Sequence, residues 1–262
     1  MNEYIDIGAN LTNKSLMQNI DAVLARAQQV GVGQLVVTGT NIEESEAAIA
    51  LCERFPNQLV CTTGVHPHHA SEWLDDYDQI LKRLASSQFV RAIGETGLDF
   101  NRDFSPRDKQ IEVFHQQLSI ACELNKPVFT HQRDAHDSFI QILGEYRDRL
   151  SQVVVHCFTD DKRALDDCLA LDCHIGITGW VCDERRGTEL QQLVKYIPAN
   201  RLMIETDAPY LLPRDLNPKP KSRINEPRHL PHIAARIAQH QGKSLDIFSA
   251  ECLQTTRQFF NF

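Results

Sequence analysis

A chain of 262 residues with 42% hydrophobic and 24% charged residues has ordinary soluble composition and the length of one large α/β barrel or of two small domains. Its formal net charge of -8 excludes wrapping of nucleic acid by bulk attraction, so a polyanion has to meet a local basic patch or a bound cation. No run approaches the roughly 20 apolar residues of a membrane helix, and MNEYIDIG enters strand-like sequence with no basic and apolar leader, which predicts a cytoplasmic protein with no membrane partner.

In chain order, eight short runs rich in Val and Ile stand out: Tyr4 to Leu11, Gln34 to Asn41, Leu59 to Pro67, Val90 to Asp99, Pro127 to Gln132, Gln152 to Phe158, Cys173 to Trp180 and Arg201 to Pro209. Between and after them, helical periodicity marks Ser15 to Val30, Ile42 to Phe55, Ser105 to Asn125, Ala135 to Leu150, Asp161 to Leu171, Leu230 to Gln241 and Leu245 to Phe260. Alternating strand and helix signals are the mark of βα units and a parallel sheet. Eight of them in a chain of this length predict a single-domain, TIM-like (β/α)8 barrel over residues 1–262, in preference to an open doubly wound sheet. Only Pro209 to Pro231, dense in proline and charge, reads as an irregular connection. The eight cysteines form no CxxC pair and several sit in apolar runs, which predicts reduced, buried thiols.

In such a barrel the active site forms at the C-terminal ends of the strands. The third run ends Gly64-Val-His66-Pro, the fourth carries Glu95 and Asp99, the fifth ends on His131, the sixth reaches His156 and the eighth reaches Asp207. Taken singly, a strand-end His or Asp is more often structural or a helix cap. Gathered at one barrel mouth, two imidazoles and two carboxylates would be costly to bury unless a cation offset them. Glu95, His131, His156 and Asp207 are therefore candidate metal ligands, a nitrogen and carboxylate set that suits one or two ions of Mg2+, Mn2+ or Zn2+. Glu95 is the candidate bridge between two ions, with Gly94 and Gly97 leaving space around it, and Asp207 the candidate to hold or deprotonate the attacking water. His66 joins them as a catalytic candidate, whereas His68 and His69 read as solvated loop residues.

From Arg214 to Arg236 six basic residues face two acidic ones, a local surplus that predicts phosphate contacts, with Arg214 and Arg223 foremost. Arg133 and His136 stand after the fifth run, where either contacts substrate or Arg133 pairs with Asp134. The first run supplies no ligand, since Gly8 and Asn10 follow Asp6; Asn10 remains a hydrogen-bonding candidate for a metal-bound water or a phosphate oxygen.

Gly94-Glu-Thr-Gly-Leu-Asp99, Gly64-Val-His-Pro-His68, Pro127-Val-Phe-Thr-His131, His156-Cys-Phe-Thr159 and Glu205-Thr-Asp-Ala-Pro-Tyr210 together resemble the TatD family of metal-dependent deoxyribonucleases across essentially the whole chain. Asp6-Ile-Gly-Ala-Asn10, Ile177 to Arg186 and Asn225 to His232 look like its bacterial namesake branch. The resemblance implies a barrel of the metal-dependent hydrolase superfamily and a Mg2+-dependent 3'-5' exonuclease on single-stranded DNA and RNA, with a suggested role in repair of oxidised DNA. It implies Glu95, His131 and His156 as metal ligands, Asp207 as ligand or water activator, and His66 near the scissile phosphate. Most relatives have Asp-x-His-x-His on the first strand; Gly8 and Asn10 depart from it, as they do in the namesake branch. Losing those imidazoles points to a weakly held Mg2+ whose second ion arrives with substrate. A monomer is expected. The rivals are a hydrolase of small esters, lactones or amides on the same barrel, and a binding protein that has lost its chemistry.

Overall fold

A computed structural model describes residues 2–262. Its eight strands are β1 (Tyr4–Ala9), β2 (Val32–Val37), β3 (Leu59–Thr63), β4 (Val90–Asp99), β5 (Val128–Arg133), β6 (Val153–Val155), β7 (His174–Ile177) and β8 (Leu202–Ile204). They lie in one sheet in chain order, the registered pairs are parallel, and β1 meets β8 through a parallel Ala9–Ala208 bridge. With helices α1 (Lys14–Met17), α2 (Ile20–Gln29), α3 (Ile42–Arg54), α4 (Tyr77–Ala85), α5 (Arg107–Leu124), α6 (His136–Tyr146), α7 (Lys162–Ala170), α8 (Thr188–Leu193), α9 (Leu230–Gln241) and α10 (Leu245–Phe260), this is the predicted (β/α)8 barrel class.

Each predicted run overlaps one strand, although β2 begins before its run and β5 ends after its own, and the bounds of β4, α9 and α10 are as predicted. Most other strands stop short of their runs, because the last residues leave the ladder to place side chains. The predicted helix from Ser15 to Val30 is two, α1 and α2, with Asn19 turned out of helical geometry between them. The irregular connection ends earlier than Pro231: a short 3-10 turn spans Pro227–His229 and α9 begins at Leu230. No described helix is long and apolar enough to cross a membrane.

The chain forms two compact units. The first comprises Met1–Val37, Cys157–Leu165 and Ile175–Phe262. Two helix ends in it are set by local caps: the Ser244 hydroxyl accepts from Ile247 N–H at the start of α10, and Gly242 takes a φ of 67° to end α9, a conformation that glycine adopts without steric cost. Phe248, Phe259 and Phe260 of α10 and Ile233 and Ile237 of α9 are buried.

Inside this unit Asp6 is fully buried and ties β1 to the segment after β8. Its Oδ1 accepts from Thr206 N–H at 2.9 Å and Gly8 N–H at 3.3 Å, and its Oδ2 meets Thr206 Oγ1 at 2.5 Å. Asp6→Ala orphans these groups in a dry site and should lower stability by on the order of 3 kcal/mol. Burial raises the Asp6 carboxyl to about 7 against the hydrogen bonds from Thr206 that lower it. Because the folded value lies above the unfolded one, this contribution to stability is complete below about pH 4 and is lost as pH rises through the folded value. Denaturation midpoints should therefore fall between about pH 5 and about pH 8 in the wild type, and Asp6→Asn, which keeps the acceptor and cannot ionise, should remove that part of the fall.

The second unit comprises Thr38–His156 and Asp166–His174. Phe114 of α5 and Phe139 of α6 stack at 5.5 Å between ring centroids. Gly94 and Gly97 have φ of 140° and 141°, and a Cβ on either would strike the Phe129 or His131 carbonyl oxygen of β5. These glycines serve close approach of β4 to β5, where the sequence suggested only room around Glu95. On α5, Gln110 and Gln117 are two turns apart and both face inward, fully buried. Gln110 accepts from Asp99 N–H and donates to the Asp99 and Ser105 carbonyls. Gln117 accepts from Val65 N–H and donates to the Val65 carbonyl and to Thr96 Oγ1. The helix thus satisfies backbone groups that β3 and β4 leave open just where the candidate residues begin.

Candidate metal centre

Within the second unit the ends of β3 to β6 converge on one carboxylate oxygen. Glu95 Oε1 lies 2.7 Å from His156 Nε2, 3.1 Å from His131 Nδ1 and 3.3 Å from His66 Nε2. Glu95, His66 and His156 are buried and His131 is half-buried. Burial pushes the Glu95 carboxyl up, but the His156 and His66 imidazoles, with hydrogen bonds from His131 and His156, outweigh it and hold the group well below the usual carboxylate range.

Two of these rings have a defined second partner. His131 turns Nε2 toward Asp99 Oδ2 at 3.4 Å; although burial lowers the basicity of this ring, the Asp99 and Glu95 carboxylates beside it raise it overall. A ring with Nδ1 toward Glu95 and a carboxylate behind Nε2 is the arrangement that orients a metal-ligating imidazole. His66 differs. Its Nδ1 accepts from His68 N–H at 3.1 Å, and burial keeps it neutral, with a pKa lowered to about 4. A neutral ring already accepting at Nδ1 carries its proton on Nε2, so His66 faces Glu95 as a donor.

His66, Glu95 and His131 offer ligand atoms within 4.8 Å of one another, and His156 adds a nitrogen on the same carboxylate oxygen. This nitrogen and carboxylate set, without sulfur and with an orienting carboxylate behind it, fits a divalent cation. His68, read from sequence as solvated, instead holds Asp99 Oδ2 through Nε2 at 2.8 Å, while His69 pairs with Glu72 at the surface. Asp99 Oδ1 accepts from Asn101 N–H and Arg102 N–H, which fixes the turn after β4.

In the first unit, Asp207 has a φ of 52°, the left-handed region that Asp tolerates better than most residues. Its N–H bonds the Gly8 carbonyl, and its Oδ1 accepts from Asn10 Nδ2 at 2.9 Å. Asn10 therefore orients the Asp207 carboxylate, a role its sequence position did not disclose. The basic segment is partly neutralised within this unit: Arg214 lies 3.7 Å from Asp183 Oδ2, Arg228 pairs with Glu226 and Arg236 with Asp215. Lys219, Lys221 and Arg223 are exposed. In the second unit Arg133 is exposed at the end of β5. Asp134, offered from sequence as its partner, accepts from Asn101 Nδ2, and His136 bonds Asp167 Oδ2 at 3.0 Å.

Sequence patterning singled out neither Gln110 nor Gln117, and it passed over His68. The one available signal was the i, i+7 spacing of two glutamines on the apolar face of a helix.

The family described as TatD related DNase matches residues 5–261. The chain is similar to a protein of Pectobacterium parmentieri (strain WPP163) named 3'-5' ssDNA/RNA exonuclease TatD, 52% identical over 91% of this chain and 92% of that one. Among solved structures it is similar to the TatD homologue YJJV of Escherichia coli k12, at 26% identity and a TM-score of 0.90 over 99% of this chain and 98% of that one. A hydrolase TatD family protein of Entamoeba histolytica has 28% identity and a TM-score of 0.89 with the same coverage.

Proposed function

The chain belongs to the TatD-related DNase family, and from that premise we propose that it is a divalent-metal-dependent 3'-5' exonuclease hydrolysing phosphodiester bonds of single-stranded DNA and RNA. The observation that carries the site assignment is the buried Glu95 oxygen met by three imidazole nitrogens. Activity and polarity are those in the name of a relative 52% identical over nearly the whole length.

Glu95, His131 and His156 are the proposed ligands, with Asp207 as ligand or water activator, and Mg2+ is the proposed ion. When bound, the cation supplies Lewis-acid polarisation of the phosphoryl group and lowers the pKa of water. The rest falls to the chain. Asp99 keeps the His131 ring turned so that Nδ1 faces Glu95, where the two would hold the ion together. His66, neutral and protonated at Nε2, donates a hydrogen bond to a non-bridging phosphate oxygen. Asp207, its carboxylate steadied by Asn10, takes the proton of the attacking water. Arg133 and Arg223 are the proposed phosphate contacts. Arg214, held near Asp183, contributes less to charge and more to fixing the segment. Eight free thiols support a cytoplasmic site of action, and we place the reaction in a monomer.

Digestion of a 5'-labelled single-stranded oligonucleotide tests this. Protein stripped with EDTA should leave it intact, Mg2+ should restore a ladder of products shortened from the 3' end, and a blunt duplex should be digested more slowly. An intact oligonucleotide in Mg2+, together with turnover of a small ester, would overturn the nuclease in favour of the small-ester hydrolase.

A further inference from the structure

Phe104 is an apolar ring that the fold holds out in water. It is 66% exposed, yet the backbone on both sides of it is fixed. Upstream, the Asp99 carboxylate binds Asn101 N–H and Arg102 N–H. Downstream, Ser105 is fully buried: its hydroxyl donates to the His68 carbonyl and accepts from Ser71 N–H, and its own carbonyl accepts from Gln110. A loop pinned so closely cannot fold the ring inward.

The ring is also not isolated. Phe104 meets His68 edge to face at 4.7 Å between centroids, His68 meets His66 at 4.3 Å, and His66 meets His131 at 4.6 Å. A continuous row of rings therefore runs from solvent at Phe104 to the buried Glu95 oxygen, all on the second unit. At its inner end the row is suited to a phosphate, through His66 and the proposed ion. At its outer end it offers only an aromatic surface.

We propose that Phe104 is a stacking platform for a nucleobase of the substrate strand, and so a determinant of the preference for unpaired nucleic acid; this rests on the nuclease reading above. An aromatic face accepts any base, because every base has a π-face, but a base held in a duplex cannot reach it. Because the loop is already ordered, little conformational freedom is lost on stacking. The ring acts on substrate capture and leaves the reacting atoms to the metal centre.

The test crosses a protein change with a substrate change. Phe104→Ala, Phe104→Trp and the wild type are assayed in Mg2+ on single-stranded oligonucleotides carrying a normal base or an abasic residue, one at a time, at each of the three 3'-terminal positions. Phe104→Ala should raise KM by about 5- to 150-fold on the normal strand, the range expected from loss of one stacked base, with kcat little changed, and Phe104→Trp should restore it. At one position the abasic substrate should penalise the wild type as much as Phe104→Ala does, and the two changes together should cost no more than either alone. A wild type that digests the strand while Phe104→Ala keeps its KM, or effects that multiply at all three positions, would overturn the stacking role alone. A wild type that leaves the strand intact would overturn the nuclease and the stacking role with it.

Discussion

Glu95→Gln should lower kcat by on the order of 10³-fold or more in saturating Mg2+, with the circular dichroism spectrum of the wild type retained. The replacement keeps the size of the side chain and removes its charge. Three imidazole nitrogens converge on the Glu95 oxygen, and no carboxylate on β3, β5 or β6 could take its place. A metal's polarisation of the phosphoryl group supplies several kcal/mol, and at 1.36 kcal/mol per tenfold that is the stated loss. Metal titration by calorimetry should show weakened binding in parallel. Retention of a tenth or more of wild-type kcat in Mg2+ would remove Glu95 from the chemistry.

The second large effect is expected at Asp207. Asp207→Asn retains the shape and tolerates the left-handed backbone, but it cannot accept a proton, so kcat should fall by about 10²- to 10⁴-fold, the usual worth of a positioned base. Asn10→Ala should cost less, about 10- to 100-fold, because Asn10 touches the carboxylate and not the substrate. The ordering distinguishes the roles. If Asn10→Ala were as damaging as Asp207→Asn, Asn10 would itself act on the water or the phosphate.

The candidate site was legible where chemistry sits at the end of an apolar run. His66, Glu95, His131, His156 and Asp207 each follow a stretch of Val, Ile or Thr, so the strand pattern locates them at strand ends, and their residue types are what made them candidates. Three kinds of feature were not legible. Gln110 and Gln117 are polar residues on the apolar face of an amphipathic helix, and only the unpaired backbone of β3 and β4 explains why they are buried. Gly94 and Gly97 read as space around Glu95, but a missing Cβ has two sides, and here the close neighbour is the β5 carbonyl. The basic surplus after β8 was counted along the chain, whereas Arg214 finds Asp183 on a different segment; charge counting sees composition and not pairing. Helix boundaries failed where the backbone leaves helical geometry with no Gly or Pro to mark the break, as at Asn19.

The two glutamines of α5 also bear on how the protein loses its activity. The N–H groups of Val65 and Asp99, one residue from His66 and within the turn that holds His68, are bonded to side chains of a helix and not to a neighbouring strand. They stay shielded only while α5 is docked. Undocking of that helix would therefore strip the backbone beside His66 and at Asp99 of its partners, which couples loosening of α5 to loosening of the candidate metal centre.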